Sequence, residues 1–519
     1  MPPYNKPRSS TVTFNAPPKP HVPLIGTPQQ QAIWDAIATD PRNLVVVARA
    51  GTGKTTTMVE GCYYIPAGQT ICCTAFNKSI AVELGERLPQ HVTSSTMHSL
   101  GAKIVGARVG RYQVNKDKTW DMLDDNLPMQ VRSIIVRIVS LCKNLLLDGS
   151  DWDELDELCV NFSIDIDNAS IRQEIFSQIS QLLDNSLALT SEIDFDDMLW
   201  LPVMWTNDPS YSTPKQFVFD RLFVDEGQDL NPVQQRMVFL IGRWKCVVGD
   251  DRQAIYGFRG ADHNSLNTMI DLLMDTDEGC LVLPLTQTRR CPTSVVELAQ
   301  TIVPDFESLP DAPVGFICDP EHCTIDPDSA TIGTMILCRV NAPLVSLAYS
   351  FIRNSTPVKI QGRDIGDGIT KKLKRVCNNN TALPIEEVCS KMQQERTKES
   401  DRILKLYGKK PMVLESKMQQ LDDQYQCIDA LCGIPTLTTL ADLITHIGNL
   451  FADVKSADAS KFVLLSSVHR AKGLESSKVM IIESKLMPHP MAKTTAQVKQ
   501  EYNLMYVAWT RSKNELHIH

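Results

Sequence analysis

The sequence predicts an α/β protein built on parallel sheets, and three observations carry that prediction. An apolar, β-branched run, Leu44 to Val47, leads straight into a glycine-rich loop and then a helix-favouring stretch. A second apolar strand, Arg221 to Val224, ends in the adjacent carboxylates Asp225 and Glu226. Continuous apolar strands of this kind are buried on both faces, as in parallel sheets covered by helices. The 519 residues, 43% hydrophobic and 22% charged, leave room for about three or four domains and exclude a mostly disordered chain.

Taken in order, residues 1–24 are rich in proline and carry Lys6, Arg8 and Lys19 without an apolar core segment, so they read as a flexible tail and not a secretory signal. Arg137, Lys143 and Arg243 interrupt the most apolar segments, which fall short of the ~18 consecutive apolar residues of a membrane helix. A soluble, cytoplasmic protein with no membrane partner is expected. The 15 cysteines are scattered and read as reduced thiols. Cys318 and Cys323 with His322 between them come nearest to a metal cluster, but a second ligand pair is missing, so zinc is not expected there. The net charge of −9 argues against a protein that coats nucleic acid.

The loop after the first strand reads Ala48-Arg-Ala-Gly-Thr-Gly-Lys-Thr55. Gly51 and Gly53 let the backbone curl so that successive N–H groups face phosphate oxygens, and the helix N-terminus adds its partial positive charge. Ala50, Gly51, Thr52, Gly53, Lys54, Thr55 and Thr56 are therefore expected around a nucleotide, with Lys54 bridging β- and γ-phosphates and Thr55 ligating Mg²⁺. Ala48 replaces the first glycine of the general pattern, a turn position away from the chemistry. Asp225 is placed to complete the Mg²⁺ shell, and Glu226 to accept a proton from the attacking water.

Further segments follow in a fixed order: Thr27-Pro-Gln-Gln-Gln31, Thr74-Ala-Phe-Asn-Lys78, Thr96-Met-His98, Phe195-Asp-Asp197, Gly249 to Ala261, Gln287-Thr-Arg-Arg-Cys-Pro292, Arg339 with Asn341, Ser467 to Glu475, and Glu501 to Arg511. Together they resemble the superfamily 1 helicases of the UvrD, Rep and PcrA type, most closely the compact members often encoded by phages and plasmids. The resemblance implies that Gln30 reads the adenine edge, that Gln253 senses the γ-phosphate, that Arg290 and Arg511 face it from a second domain, and that Glu475 meets the ribose. It implies DNA contacts from Phe76, Asn77, Thr96, His98, Tyr256, Phe258, Arg259, Arg339, Asn341, Ser467 and His469. Where the family usually has a tryptophan, Phe258 still offers a stacking face. Where UvrD-like proteins carry a stacking tyrosine, Arg289 offers a guanidinium plane.

The same resemblance implies two RecA-like motor domains, each interrupted by a small helical insertion. The first motor is expected over 25–102 and 191–284, interrupted at 103–190, where Val131, Ile134, Ile135, Ile138 and Leu141 show helical spacing. The second is expected over 285–365 and 440–519, with 366–439 forming a helical hairpin broken at Gly408-Lys-Lys-Pro411. The implied activity is ATP- and Mg²⁺-dependent movement on single-stranded DNA, 3′ to 5′, with unwinding at single-strand/duplex junctions by a monomer. A motor that mainly displaces DNA-bound proteins is the first alternative. A nucleotide switch that does not hydrolyse is the second, and Glu226, Gln253, Arg290 and Arg511 speak against it.

Overall fold

Thr27 and Gln30 close a reciprocal capping box on α1 (Pro28–Thr39), with Pro28 in the first turn, where a missing N–H costs nothing. The computed structural model describes residues 21–519 apart from 163, 167, 256–263, 324, 325, 408–410, 455, 491 and 493. The expected DNA contacts Tyr256, Phe258 and Arg259 lie outside the described residues, as does most of the tail over 1–24.

Strand and helix then alternate through β1 (Asn43–Ala48), α2 (Lys54–Gly61), β2 (Ile71–Ala75), α3 (Lys78–Arg87), β3 (Val92–Thr96) and α4 (Met97–Val109). A mainly helical stretch follows: β4 (Gln113–Val114), α5 (Lys118–Asp121), α6 (Met129–Leu145), α7 (Trp152–Asn161), α8 (Ala169–Ala188), β5 (Glu192–Ile193) and α9 (Asp197–Met204). The chain returns through β6 (Phe219–Val224), α10 (Pro232–Ile241), β7 (Gly242–Gly249), α11 (Ser265–Met274) and β8 (Cys280–Leu285). The resulting six-stranded sheet has the order β3-β2-β6-β7-β1-β8 and is parallel throughout.

The apolar stripe of α6 buries Val131, Ile135, Ile138, Val139 and Cys142. These join one continuous core with Val45, Cys72, Leu222 and Val247 of the first sheet, so the insertion shares that sheet's core. A buried charge cluster fastens it further. Asp197 accepts from Lys118 at 2.7 Å and Lys143 at 2.8 Å, and Asp194 accepts from Lys143 at 2.7 Å.

The second half begins with β9 (Gln287–Thr288), α12 (Thr293–Gln300) and β10 (Glu307–Ser308). Next come β11 (Phe316–Cys318), β12 (Thr334–Cys338), α13 (Ala342–Arg353), β13 (Val358–Gln361) and α14 (Arg363–Val376). The hairpin helices α15 (Ile385–Tyr407) and α16 (Pro411–Cys432) lead to α17 (Leu440–Leu450), β14 (Phe451–Ala452), β15 (Val463–Ser467), β16 (Ser476–Ile481), α18 (Thr495–Trp509) and β17 (Ser512–Ile518). This sheet has seven parallel strands in the order β11-β17-β16-β12-β15-β13-β14. The hairpin packs onto the sheet: its Val388, Met392, Tyr425 and Ile428 are buried in one core with Ile360 and Leu465. Further out along α15, Arg402 reaches Gln130 of α6 at 3.3 Å. Among the described residues no helix is long and apolar enough to cross a membrane.

Candidate nucleotide site and nucleic-acid face

In parallel sheets the strand C-terminal ends are where ligands meet the chain, and most candidate residues lie there. The phosphate loop follows β1, Asp225 follows β6, Asp250 follows β7, and Phe76 and Asn77 follow β2. Glu475 and Arg511 differ, standing immediately before β16 and β17. The entry edge of the second sheet thus meets the exit edge of the first.

Gly51 and Gly53 have φ of 70° and 83°, left-handed values that glycine adopts without strain. Gly51 is constrained twice, because a Cβ there would lie 2.4 Å from Arg290 Cβ. Gly53 starts α2 with no side-chain cap, which leaves the first-turn N–H groups for an anion. Thr55 Oγ1 donates to Asp225 Oδ2 at 3.0 Å. That hydroxyl and carboxylate pair of hard oxygen donors fits Mg²⁺.

The strand-end carboxylates are driven apart electrostatically. Burial, and then the neighbouring Glu226 charge, push Asp225 up from the ordinary carboxylate range. Burial alone would raise Glu226 too, but Lys54, Lys472, the Gln228 amide and Arg511 outweigh it and hold Glu226 low. Glu226 also sits at φ 55°, strain of a kind that gathers at functional sites. Gln228 Nε2 donates to Glu226 Oε2, and Lys472 Nζ lies 3.7 Å from it. Gln253 is buried, its amide donating to Asp250 Oδ2 at 2.6 Å.

From the second domain, Arg290 Nε donates to Glu475 Oε2 at 2.7 Å, and Lys513 pairs with the other Glu475 oxygen. Arg511 is 1% exposed; it donates to Val507 O at 2.8 Å and Leu474 O at 3.1 Å. Burial, and then Arg290, lower its pKa.

Several of the expected contact residues have partners within the protein. Gln30, expected at an adenine edge, uses its amide inside the protein: Oε1 accepts from Thr27 N and from Arg289 Nη2, both at 3.0 Å, and Nε2 donates to Thr57 Oγ1 at 2.9 Å. Arg289 is thereby tied to α1 edge-on. Arg339, expected on DNA, forms a forked pair with Glu501 at 2.8 and 3.2 Å, because a carboxylate only 5% exposed needs a counter-charge. Thr96 and Asn77 accept backbone N–H bonds as the N-caps of α4 and α3. Phe76 is exposed beside Asn77. His98 is half-buried, and burial lowers its pKa against the pull of Asp196. Ser467 ends β15, and His469 stands two residues further on. Asn341 keeps a buried Oδ1 without a partner.

Other functional positions have weak sequence signals. Arg49, inside the phosphate loop, donates to Asp251 at 2.7 Å and to Asp305 of the second half at 3.0 and 2.7 Å. Lys472 bonds Asp229 and donates to Gln253 O at 3.0 Å. The Ala50 amide donates to Tyr506 Oη at 2.9 Å. Asn503 donates to Ala254 O at 3.1 Å and Gln500 to Ile255 O at 2.8 Å. Only the short spacings Arg-Ala-Gly and Ala-Lys-Gly hinted at the two cations.

A phosphate loop on one parallel sheet, closed over by arginines and a lysine from another, defines a two-domain P-loop NTPase. Comparison with known proteins sharpens the class. A model described as UvrD/REP helicase N-terminal domain matches residues 29–273, and one described as UvrD-like helicase C-terminal domain matches 374–519. ATP-dependent DNA helicase PcrA of Staphylococcus aureus (strain Mu50) is 21% identical over 93% of this chain and 82% of that protein. DNA helicase II of Salmonella typhimurium is 20% identical over 93% and 83%, and ATP-dependent DNA helicase Rep of Buchnera aphidicola is 27% identical over 42% and 35%. The chain belongs to the UvrD/Rep/PcrA-type helicases of superfamily 1.

Proposed function

We propose that this chain is an ATP-dependent DNA helicase that tracks single-stranded DNA 3′ to 5′ and separates strands at junctions. The observation that carries the reading is the composite crevice: Lys54, Thr55, Asp225 and Glu226 come from the first domain, and Arg290, Lys472 and Arg511 from the second. Thr55 and Asp225 would hold Mg²⁺, which when bound supplies charge neutralisation at the phosphate oxygens. Lys54 and the α2 N-terminus bind phosphate, and Glu226, kept ionised by the cations around it, accepts the proton of the attacking water.

Lys472 and Gln228 lie against Glu226, and Glu475 holds Arg290. In the proposed cycle these partners are exchanged for phosphate as the domains close and re-form on product release. Gln253 links the phosphate end to the segment carrying Tyr256 and Phe258, so closure is read out as a change in grip on the strand. The test is strand separation on duplexes with a 3′ or a 5′ single-stranded tail. ATP-dependent unwinding of the 3′-tailed duplex is expected; unwinding of the 5′-tailed duplex alone overturns the polarity, and unwinding of neither overturns the helicase reading.

A further inference from the structure

The cysteines that lack a second ligand pair in the linear sequence acquire one in the fold. Parallel pairing of β11 with β17 sets Cys318 opposite His517. Asp319 then caps a tight turn whose 2.9 Å bond from Cys323 N to Asp319 O brings Cys323 back beside the strand. The donor atoms of Cys318, Cys323 and His517 all lie within 4.8 Å of one another. His519, one residue past the end of β17, also reaches Cys323 Sγ. Its own backbone is fixed by 2.8 Å bonds to Ile481 O and from Ser484 N.

We propose that Cys318, Cys323, His517 and His519 hold a structural zinc ion. The Cys323 Sγ lies 3.7 Å from His517 Nδ1 and 3.5 Å from His519 Nε2. Tetrahedral zinc with Zn–S of about 2.3 Å and Zn–N of about 2.0–2.1 Å sets sulfur and nitrogen ligands about 3.6 Å apart. Two thiols and two imidazoles suit zinc and not a hard cation such as Mg²⁺. The far nitrogen of His517, Nε2, lies 3.4 Å from Glu515 Oε2, the carboxylate support that metal-bound histidines commonly have. Cys318 is 9% and His517 1% exposed, so the ion would sit at the edge of the sheet, shielded from solvent. His322, the histidine between the cysteines in sequence, points away: its side chain is 75% exposed and paired with Asp319.

Four protein donors leave no open position, so the ion acts as a staple. It would fasten β11 and its turn onto β17, the strand that begins directly after Arg511. Binding displaces the two thiol protons to solvent and leaves both imidazoles neutral.

The test is elemental analysis of the full chain, loaded with zinc under reducing conditions and desalted. About one zinc per chain is expected, with loss of most of it in Cys323→Ser and His519→Asn and about 10- to 100-fold weaker zinc binding in Glu515→Gln. Lys54→Ala should keep its zinc, which separates this site from the phosphate loop. Less than about a tenth of an ion per loaded wild-type chain, or full retention in Cys323→Ser, overturns the proposal. Should the cysteine variant fail to fold, Co²⁺ loading of the wild type decides: thiolate-to-cobalt and tetrahedral visible bands support the site, and their absence refutes it.

Discussion

Glu226 carries the most weight of any single residue, since a left-handed backbone and a depressed carboxylate coincide there. Glu226→Gln is expected to lower turnover by about 10²–10⁴-fold while nucleotide still binds. Lys54→Ala is expected to lose binding and turnover together, which equilibrium nucleotide titration beside a steady-state assay distinguishes. Gly51→Ala forces a Cβ into Arg290 at a left-handed φ, so it should destabilise the fold by about 1–3 kcal/mol and abolish hydrolysis. Glu475 offers a pH test. Burial by itself would raise its pKa, but Lys513 and Arg290 hold it below the usual glutamate range. A carboxylate depressed by folding stabilises above its unfolded pKa, about 4.3, and the contribution is lost as pH falls through the folded value. The difference in melting temperature between wild type and Glu475→Gln should therefore be full at pH 7 and shrink below about pH 4.3.

Among the elements, strands with local chemistry were the most legible. The run Leu44 to Val47 and the glycines after it announce a strand and a phosphate cradle within a dozen residues, as do the hydrophobic strand and acidic pair at Asp225. Contacts made over long separations were not. Arg49 gives no sequence sign of its partner Asp305, 256 positions away, and nothing near Cys323 points to His519. At Asn77 and Thr96 a helix cap and a nucleic-acid contact call for the same side chains, so the sequence alone does not separate the two roles. In the expected hairpin α15 runs on to Tyr407, its charged face being favourable helix surface. The Lys118–Asp197–Lys143 cluster joins the helical insertion to α9. Asp197→Asn leaves two buried ammonium groups short of a carboxylate, and urea denaturation should register a loss of about 3–5 kcal/mol.

Over the whole molecule, the charge of −9 bears on mode of binding and not on whether DNA binds. A motor that grips one strand through a few stacking and polar contacts and then lets go needs no basic coat. Its DNA affinity should accordingly be modest and fall with salt. The two domains are joined through the phosphate loop, Arg49 to Asp305 and Ala50 to Tyr506, and beside it by Lys472 to Asp229. The most direct measurement is steady-state ATP turnover with and without single-stranded DNA, in wild type and in Arg290→Ala. DNA-stimulated turnover in the wild type and a fall of about 10³-fold or more in Arg290→Ala are predicted. Turnover indifferent to DNA, or an Arg290→Ala chain as fast as the wild type, would contradict a hydrolytic centre shared between the two domains.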